Sequence, residues 1–441
     1  MKILLIKPRW NVEGRFCQSM DQVRGTPLSL GILAALSDGH AVQIVDRDWQ
    51  PLPADGRFDL VGITVTTFTS EQAFELARWA RRRGAKVVLG GVHPSILPKE
   101  CLRHADAVVI GEAEYVWKQI LLDAQASRLK PVYQAQCPTR MDDVPMPRRD
   151  LLAESPWVAY VQATRGCPHS CAYCYLPSVP WSCFRKRSVE LVREDIIRLK
   201  KKLVIFVDDN LFADRRYALD LCGMLRSLKV NWSVQAPTTI SEDEELLDAM
   251  AGSGCWHVLV GFQSFNAKSL EQAAVFHNRV EDYKALVDRL HARRILATGF
   301  FMFGFDSDGP DCFDGAVEMI KRIDLDGAKL YILTPYPGTK FHGKLEQEGR
   351  LLEGSRSAQF GWYRAVFQPK MMSPEQLELG VQGAHDRLLE HFRKRLPKTI
   401  WRYWKMGLGH PQLAKTLICG ALWRSHRRRN ADALELEEDR A

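Results

Sequence analysis

The chain has 441 residues, 46% of them hydrophobic and 26% charged, and a formal net charge of +8. That length exceeds one ordinary core and predicts two or three domains; the composition excludes extended disorder except at the ends. No stretch approaches the roughly 20 apolar residues of a membrane-spanning helix. The eleven cysteines, an odd number without an export signal, speak against a disulfide framework and predict a cytoplasmic protein.

Residues 1–125 alternate short apolar runs with helical patterns. Strands are expected at Lys2–Ile6, Val42–Asp46, Leu60–Val65, Val87–Leu89 and Ala107–Ile110. Helices are expected at Leu28–Ser37, Ser70–Arg83 and Ala113–Asp123. This is the pattern of a doubly wound, mostly parallel α/β sheet. Residues 126–155 carry Pro131, Pro138, Pro145 and Pro147, show no period, and read as a linker. Residues 156–340 repeat the alternation. Six strands (Val158–Ala163, Leu203–Val207, Val230–Val234, Val258–Phe262, Ala297–Phe303 and Lys329–Leu333) are separated by helical segments. Six β/α units make a partial barrel, with ligands expected at the C-terminal ends of its strands. Residues 341–441 change character, with a helix over Ser373–Arg393, then a basic, tryptophan-rich segment, then an acidic end.

The chemistry concentrates directly after the first barrel strand, where Cys167, Cys171 and Cys174 fall within eight residues. This Cys-x3-Cys-x2-Cys spacing lets one loop wrap an iron–sulfur cluster, and three ligands leave one of four irons open to a further molecule. The competing reading is structural zinc, which usually wants four ligands in two pairs. His169 lies inside the motif, but no second pair follows.

The loop, with the aromatic Tyr173 before its last cysteine, resembles the signature of the radical S-adenosylmethionine (SAM) superfamily. That resemblance implies a [4Fe–4S] cluster on Cys167, Cys171 and Cys174. Its open iron would chelate SAM, and one electron would cleave SAM to methionine and a 5′-deoxyadenosyl radical. It also implies an external electron donor such as flavodoxin or ferredoxin. SAM contacts are expected from Tyr173, from Asp208 and Asp209 after strand two, and from Gln263 and Ser264 after strand four. Met302 and Gly304 at strand five and Pro335 after strand six complete that set. The family's usual Gly-Gly-Glu is absent at strand two, and Gln263 stands where many relatives have Glu.

A doubly wound domain ahead of such a barrel is similar to the cobalamin (B12)-binding branch of the superfamily, whose first domain is Rossmann-like. The segments that carry this likeness follow strands three, four and five. They predict cobalamin contacts at Thr66, Thr67, Thr69 and Ser70, at Gly90, Gly91 and His93, and at Gly111 and Glu112. The Asp-x-His-x-x-Gly motif of classical cobalamin enzymes is missing, so no lower axial histidine is evident; His93 is a candidate ligand, with a surface or N-cap histidine as the alternative. The branch implies C-methylation of a lipophilic or secondary-metabolite substrate. The alternatives are a cobalamin-independent cyclisation, C–C coupling or rearrangement and, ranked lower, tRNA methylthiolation.

Near the C-terminus, Arg393, Lys394, Arg395, Arg402 and Arg427–Arg429 interleave with Trp401, Tyr403, Trp404 and Trp423. Three readings stay open: a basic face covering the barrel, a peripheral membrane contact, and nucleic-acid binding, the membrane ranking above nucleic acid.

Overall fold

The computed structural model describes residues 1–9, 26–54, 56–354 and 360–405. Two six-stranded parallel sheets dominate it. The first contains β1 (Lys2–Lys7), β2 (Ala41–Asp46), β3 (Leu60–Thr64), β4 (Lys86–Gly90), β5 (Ala107–Ile110) and β6 (Val132–Gln134), in the order β2-β1-β3-β4-β5-β6. Its helices are α1 (Leu28–Ala35), α2 (Ser70–Arg82), α3 (Val92–Ile96), α4 (Pro98–Cys101) and α5 (Trp117–Gln125). Two separate apolar clusters form on this sheet, one around α2 and the other around α1 and α5. That two-sided burial explains why β1 and β3 read as unbroken apolar runs. The chain reverses its winding between β1 and β3, the place where such sheets bind ligands.

The expectation of a linker packed against both neighbours over 126–155 is corrected at one point. Val132–Gln134 forms β6, pairing in parallel with β5. Three residues between a proline and a polar stretch are too few to show a period.

The second sheet begins with β7 (Val158–Val161), which runs into β8 (Thr164–Arg165), paired antiparallel with β9 (Arg185–Lys186) in a small separate hairpin. It continues with β10 (Leu203–Phe206), β11 (Asn231–Ala236), β12 (Cys255–Gln263), β13 (Leu296–Phe303) and β14 (Gly327–Ile332). Within this sheet, strands that follow one another in the chain are neighbours in space, from β7 through β10 to β14. Helices α6 (Val189–Leu199), α7 (Arg215–Leu228), α8 (Glu244–Gly252), α9 (Ala267–Gln272), α10 (Tyr283–Ala292) and α11 (Cys312–Arg322) lie between them. The outward faces of the strands and these helices form one large apolar cluster. The α/β class and the six-unit barrel are those expected from the sequence.

After β14 come α12 (Lys340–Gln347) and the long α13 (Pro374–Lys405), which packs on β14 and α11. No helix among the described residues is long and apolar enough to cross a membrane. Most of the basic, tryptophan-rich segment, Trp423 and Arg427–Arg429 included, lies outside the described residues, as do Cys17 and Cys419.

Candidate active site

The cluster loop hangs from a stem, Ala163–Gly166, and three consecutive side chains from the end of β10 grip that stem. Asp208 is buried and accepts from the Ala163 N–H at 3.0 Å, from the Thr164 hydroxyl at 2.6 Å and from the Thr164 N–H. Asp209 accepts from the Gly166 N–H at 2.8 Å. Asn210 Nδ2 lies 3.7 Å from Cys167 Sγ. Burial pushes the Asp208 carboxyl up to about 7, against the pull of its three donors. Both carboxylates are thus turned onto the loop backbone, whereas the sequence pointed to SAM contacts. Asn210 is missing from the sequence-based set, although its place after two aspartates at a strand end was the available signal.

Gly166 lets the stem turn. It has φ +83°, and a Cβ there would come within 2.3 Å of the Ser182 carbonyl oxygen. The three cysteines that follow are half-buried. Burial raises the Cys171 and Cys174 thiols, the latter to about 12, and the neighbouring cysteines add to both shifts. Thiols so placed ionise only against a strong local positive charge, which cluster iron supplies. Among the described residues no three His, Cys, Asp or Glu side chains converge as a single-ion site requires. A cubane tolerates wider spacing, because each thiolate binds a different iron. The donor set therefore fits a cluster.

Beside the loop lies a cavity of about 220 Å³ lined by Ala172, Tyr173, Ala273, Phe305, Leu333 and Phe341, with Asp306, Lys340 and Lys344 among its polar groups. Tyr173 thus lines an open space beside the cluster loop. Met302 faces the barrel interior from β13, half-buried. Gly304 donates its N–H to Asp308 at 2.9 Å, and Pro335 is buried in the turn after β14. Gln263, at the end of β12, has φ +67°, and the register with β13 shifts there. Left-handed geometry in a non-glycine residue stores strain of about 1–3 kcal/mol and is found disproportionately at ligand sites. Ser264 is buried, and its hydroxyl accepts from the Asn266 N–H at 3.0 Å.

The first sheet presents its C-terminal edge toward the same region. Gly91, with φ +113°, begins α3 so close to β3 that a Cβ would lie 2.8 Å from the Val65 carbonyl oxygen. Gly90 ends β4 beside Thr64 of β3. Gly111, after β5, is covered by the Trp181 ring. Of the three, only Gly90 has room around it, its nearest neighbour to an added Cβ being Val109 at 3.8 Å, and there the backbone stays open to a bulky group. In the turn after β3, Thr66 and Phe68 keep surface, while Thr67, Thr69 and Ser70 are buried. Thr66 and Thr69 bond each other at 2.9 Å, and the Ser70 hydroxyl donates to the Thr67 carbonyl at 2.8 Å.

His93 is neither a surface nor an N-cap residue. It is buried in α3, with Nδ1 3.4 Å from the Thr67 hydroxyl and Nε2 3.7 Å from Glu100. Burial lowers its pKa against the opposing pull of Glu100. The ring is thus held inside the domain by Thr67 and Glu100, and does not reach out from its edge as a ligand would.

Glu112 does something the sequence did not suggest. It bridges the end of β5 to the β8–β9 hairpin, meeting Arg185 at 2.7 and 2.8 Å and Arg165 at 3.3 Å. Glu114 adds a 2.7 Å pair to Arg165, the residue two before Cys167. Burial alone would raise the Glu112 carboxyl, but Arg185, Arg165 and the Thr139 N–H outweigh it and hold it at about 2. The first domain is thereby tied to the stem of the cluster loop.

Comparison with known proteins agrees with this geometry. A sequence model of the Radical SAM superfamily matches residues 161–320, and one of the B12 binding domain matches residues 24–121. Bacteriochlorophyllide d C-12(1)-methyltransferase of Chlorobaculum tepidum is 30% identical, over 80% of this chain and 80% of its own. The chain belongs to the cobalamin-binding branch of the radical SAM superfamily. Membership makes it an enzyme, of the cobalamin-dependent methyltransferase kind, with a [4Fe–4S] cluster and SAM for the barrel and cobalamin for the first domain. Bacteriochlorophyllide d C-8(2)-methyltransferase of the same organism is 27% identical, over 73% of this chain and 76% of its own. Among solved structures, the radical SAM methyltransferase TsrM of Kitasatospora setae, with cobalamin and a [4Fe–4S] cluster bound, superposes with a TM-score of 0.66. It covers 87% of this chain and 88% of its own, at 16% identity, and so supports the fold of this branch.

Proposed function

We propose that this radical SAM enzyme methylates an unactivated carbon of a lipophilic small molecule. The observation that carries the reading is the Glu112–Arg165 bridge, which fastens the glycine-lined edge of the cobalamin domain to the cluster loop. When bound, the cluster and SAM supply a hydrogen-abstracting radical, and cobalamin supplies the methyl group.

The chain's own share is positioning. Cys167, Cys171 and Cys174 would hold the cluster. Asp208, Asp209 and Asn210 hold the loop that carries them. Tyr173, Gln263, Ser264, Met302, Gly304 and Pro335 would surround SAM. Thr66 and Gly90 would face cobalamin, while Gly91, packed on Val65, and Gly111, under the Trp181 ring, would shape the edge beside it. Glu112, assigned from the sequence to cobalamin, would instead lock the two domains together. Enclosure within the barrel would keep water from a reactive radical. An external flavodoxin or ferredoxin would deliver the electron. Incubation of the reconstituted, reduced protein with methyl-labelled SAM and lipophilic candidates tests the reading. Label transferred to carbon supports it; 5′-deoxyadenosine formed with every candidate unlabelled contradicts it.

A further inference from the structure

The barrel interior has an aromatic wall. Along β13, Ala297, Phe301 and Phe303 are buried, while Thr298, Phe300 and Met302 keep surface although the strand is paired on both sides. On a doubly paired strand that surface belongs to a cavity. Tyr331 faces the same way from β14, with its ring centroid 6.0 Å from Phe300, 5.1 Å from Trp362 and 6.0 Å from Tyr363. Trp362 lies in turn 6.3 Å from Phe68, in the turn after β3 of the first sheet. Burial pushes the Tyr331 hydroxyl up, yet the residue is not closed off from the surface. A side chain deep in the protein that still keeps accessible surface is a cavity-wall residue.

Trp362 is brought there by a strap along the free edge of the second sheet. Its carbonyl accepts from the Ile332 N–H at 2.7 Å, the Thr334 hydroxyl donates to the Gly361 carbonyl at 3.2 Å, and Leu351 and Phe367 form a bridge further on. The strap thus sets an indole between the end of β14 and the cobalamin-facing turn.

We infer that Trp362, Tyr331, Phe300 and Phe68 form the substrate platform, and that the substrate class is a flat, conjugated ring system and not a saturated chain. This rests on the function proposed above and narrows its substrate. Each ring of the wall is tilted by 37–54° to its neighbour, so a planar guest meets both faces and edges, the arrangements aromatic groups prefer.

The test is equilibrium dialysis of the full chain, reconstituted with cluster and cobalamin, against two probes. Chlorin e6 is planar, conjugated and carboxylated; palmitate carries a carboxylate on a saturated chain. Chlorin e6 is expected to bind the wild type more tightly than palmitate. Trp362→Ala should weaken chlorin binding at least about tenfold, and Trp362→Phe should restore it to within about threefold of wild type. Thermal unfolding of each variant is the control for folding, and Tyr331→Leu is the second variant should Trp362→Ala not fold. Chlorin binding unchanged in a folded Trp362→Ala, or palmitate bound more tightly than chlorin e6, would overturn the inference. Wild-type cobalamin retention is measured in parallel, and its loss would sink the proposed function separately from the platform.

Discussion

Asp208 shows how much of the site rests on single side chains. One carboxylate satisfies the Ala163 and Thr164 N–H groups and the Thr164 hydroxyl in a buried setting. Asp208→Ala leaves those donors unpaired, which costs about 3–5 kcal/mol. A lower Tm and loss of most cluster iron on reconstitution are expected; normal iron content would show that the stem stands without the clamp. Glu112 carries a pH signature. Its folded pKa of about 2 lies below its ordinary 4.5, so its stabilisation is present above 4.5 and is lost as the pH falls towards 2. Glu112→Gln is expected to cost about 2 kcal/mol near neutral pH, after allowance for partial solvent screening, with the gap to wild type closing below pH 4.5. Unfolding free energies measured across that range check it. The positions of both carboxylates at strand ends marked them as functional in the sequence. Their partners lie 27 to 73 residues away and on other elements, which linear spacing does not reveal.

At the scale of elements, Gly91 sets how closely α3 crosses β3. Gly91→Ala forces a Cβ onto the Val65 carbonyl in a left-handed backbone. It should cost about 1–3 kcal/mol and weaken cobalamin retention by opening the edge it helps to form, as a lower Tm and a spectral titration would show. The long strands and helices were legible because their periods run over enough residues to be distinctive, β12 and β13 above all. The short pieces were not. β6 has three residues, the β8–β9 hairpin has two per strand, and the strap bearing Trp362 has no period because only its backbone pairs. That strap holds the residue on which the substrate inference depends, so the least legible segment carries the finest functional detail.

At the scale of the whole molecule, the first parallel sheet is joined to the hairpin at the stem of the cluster loop through Glu112, Glu114, Arg165 and Arg185. The cluster motif was legible in the sequence because three cysteines in eight residues have few other uses, and the order of strands was legible from the alternation around it. The join was not, since four charged residues from different segments look like ordinary surface charge until the fold buries them. The central claim is that this chain works with cluster, SAM and cobalamin together. The most direct test is an anaerobic titration of the cluster-reconstituted protein with hydroxocobalamin, followed by desalting, a visible spectrum and an assay for 5′-deoxyadenosine. One cobalamin is expected to be retained per chain, in a base-off form without a histidine ligand, in protein that cleaves SAM. SAM cleavage by protein that emerges from desalting without cobalamin would contradict it.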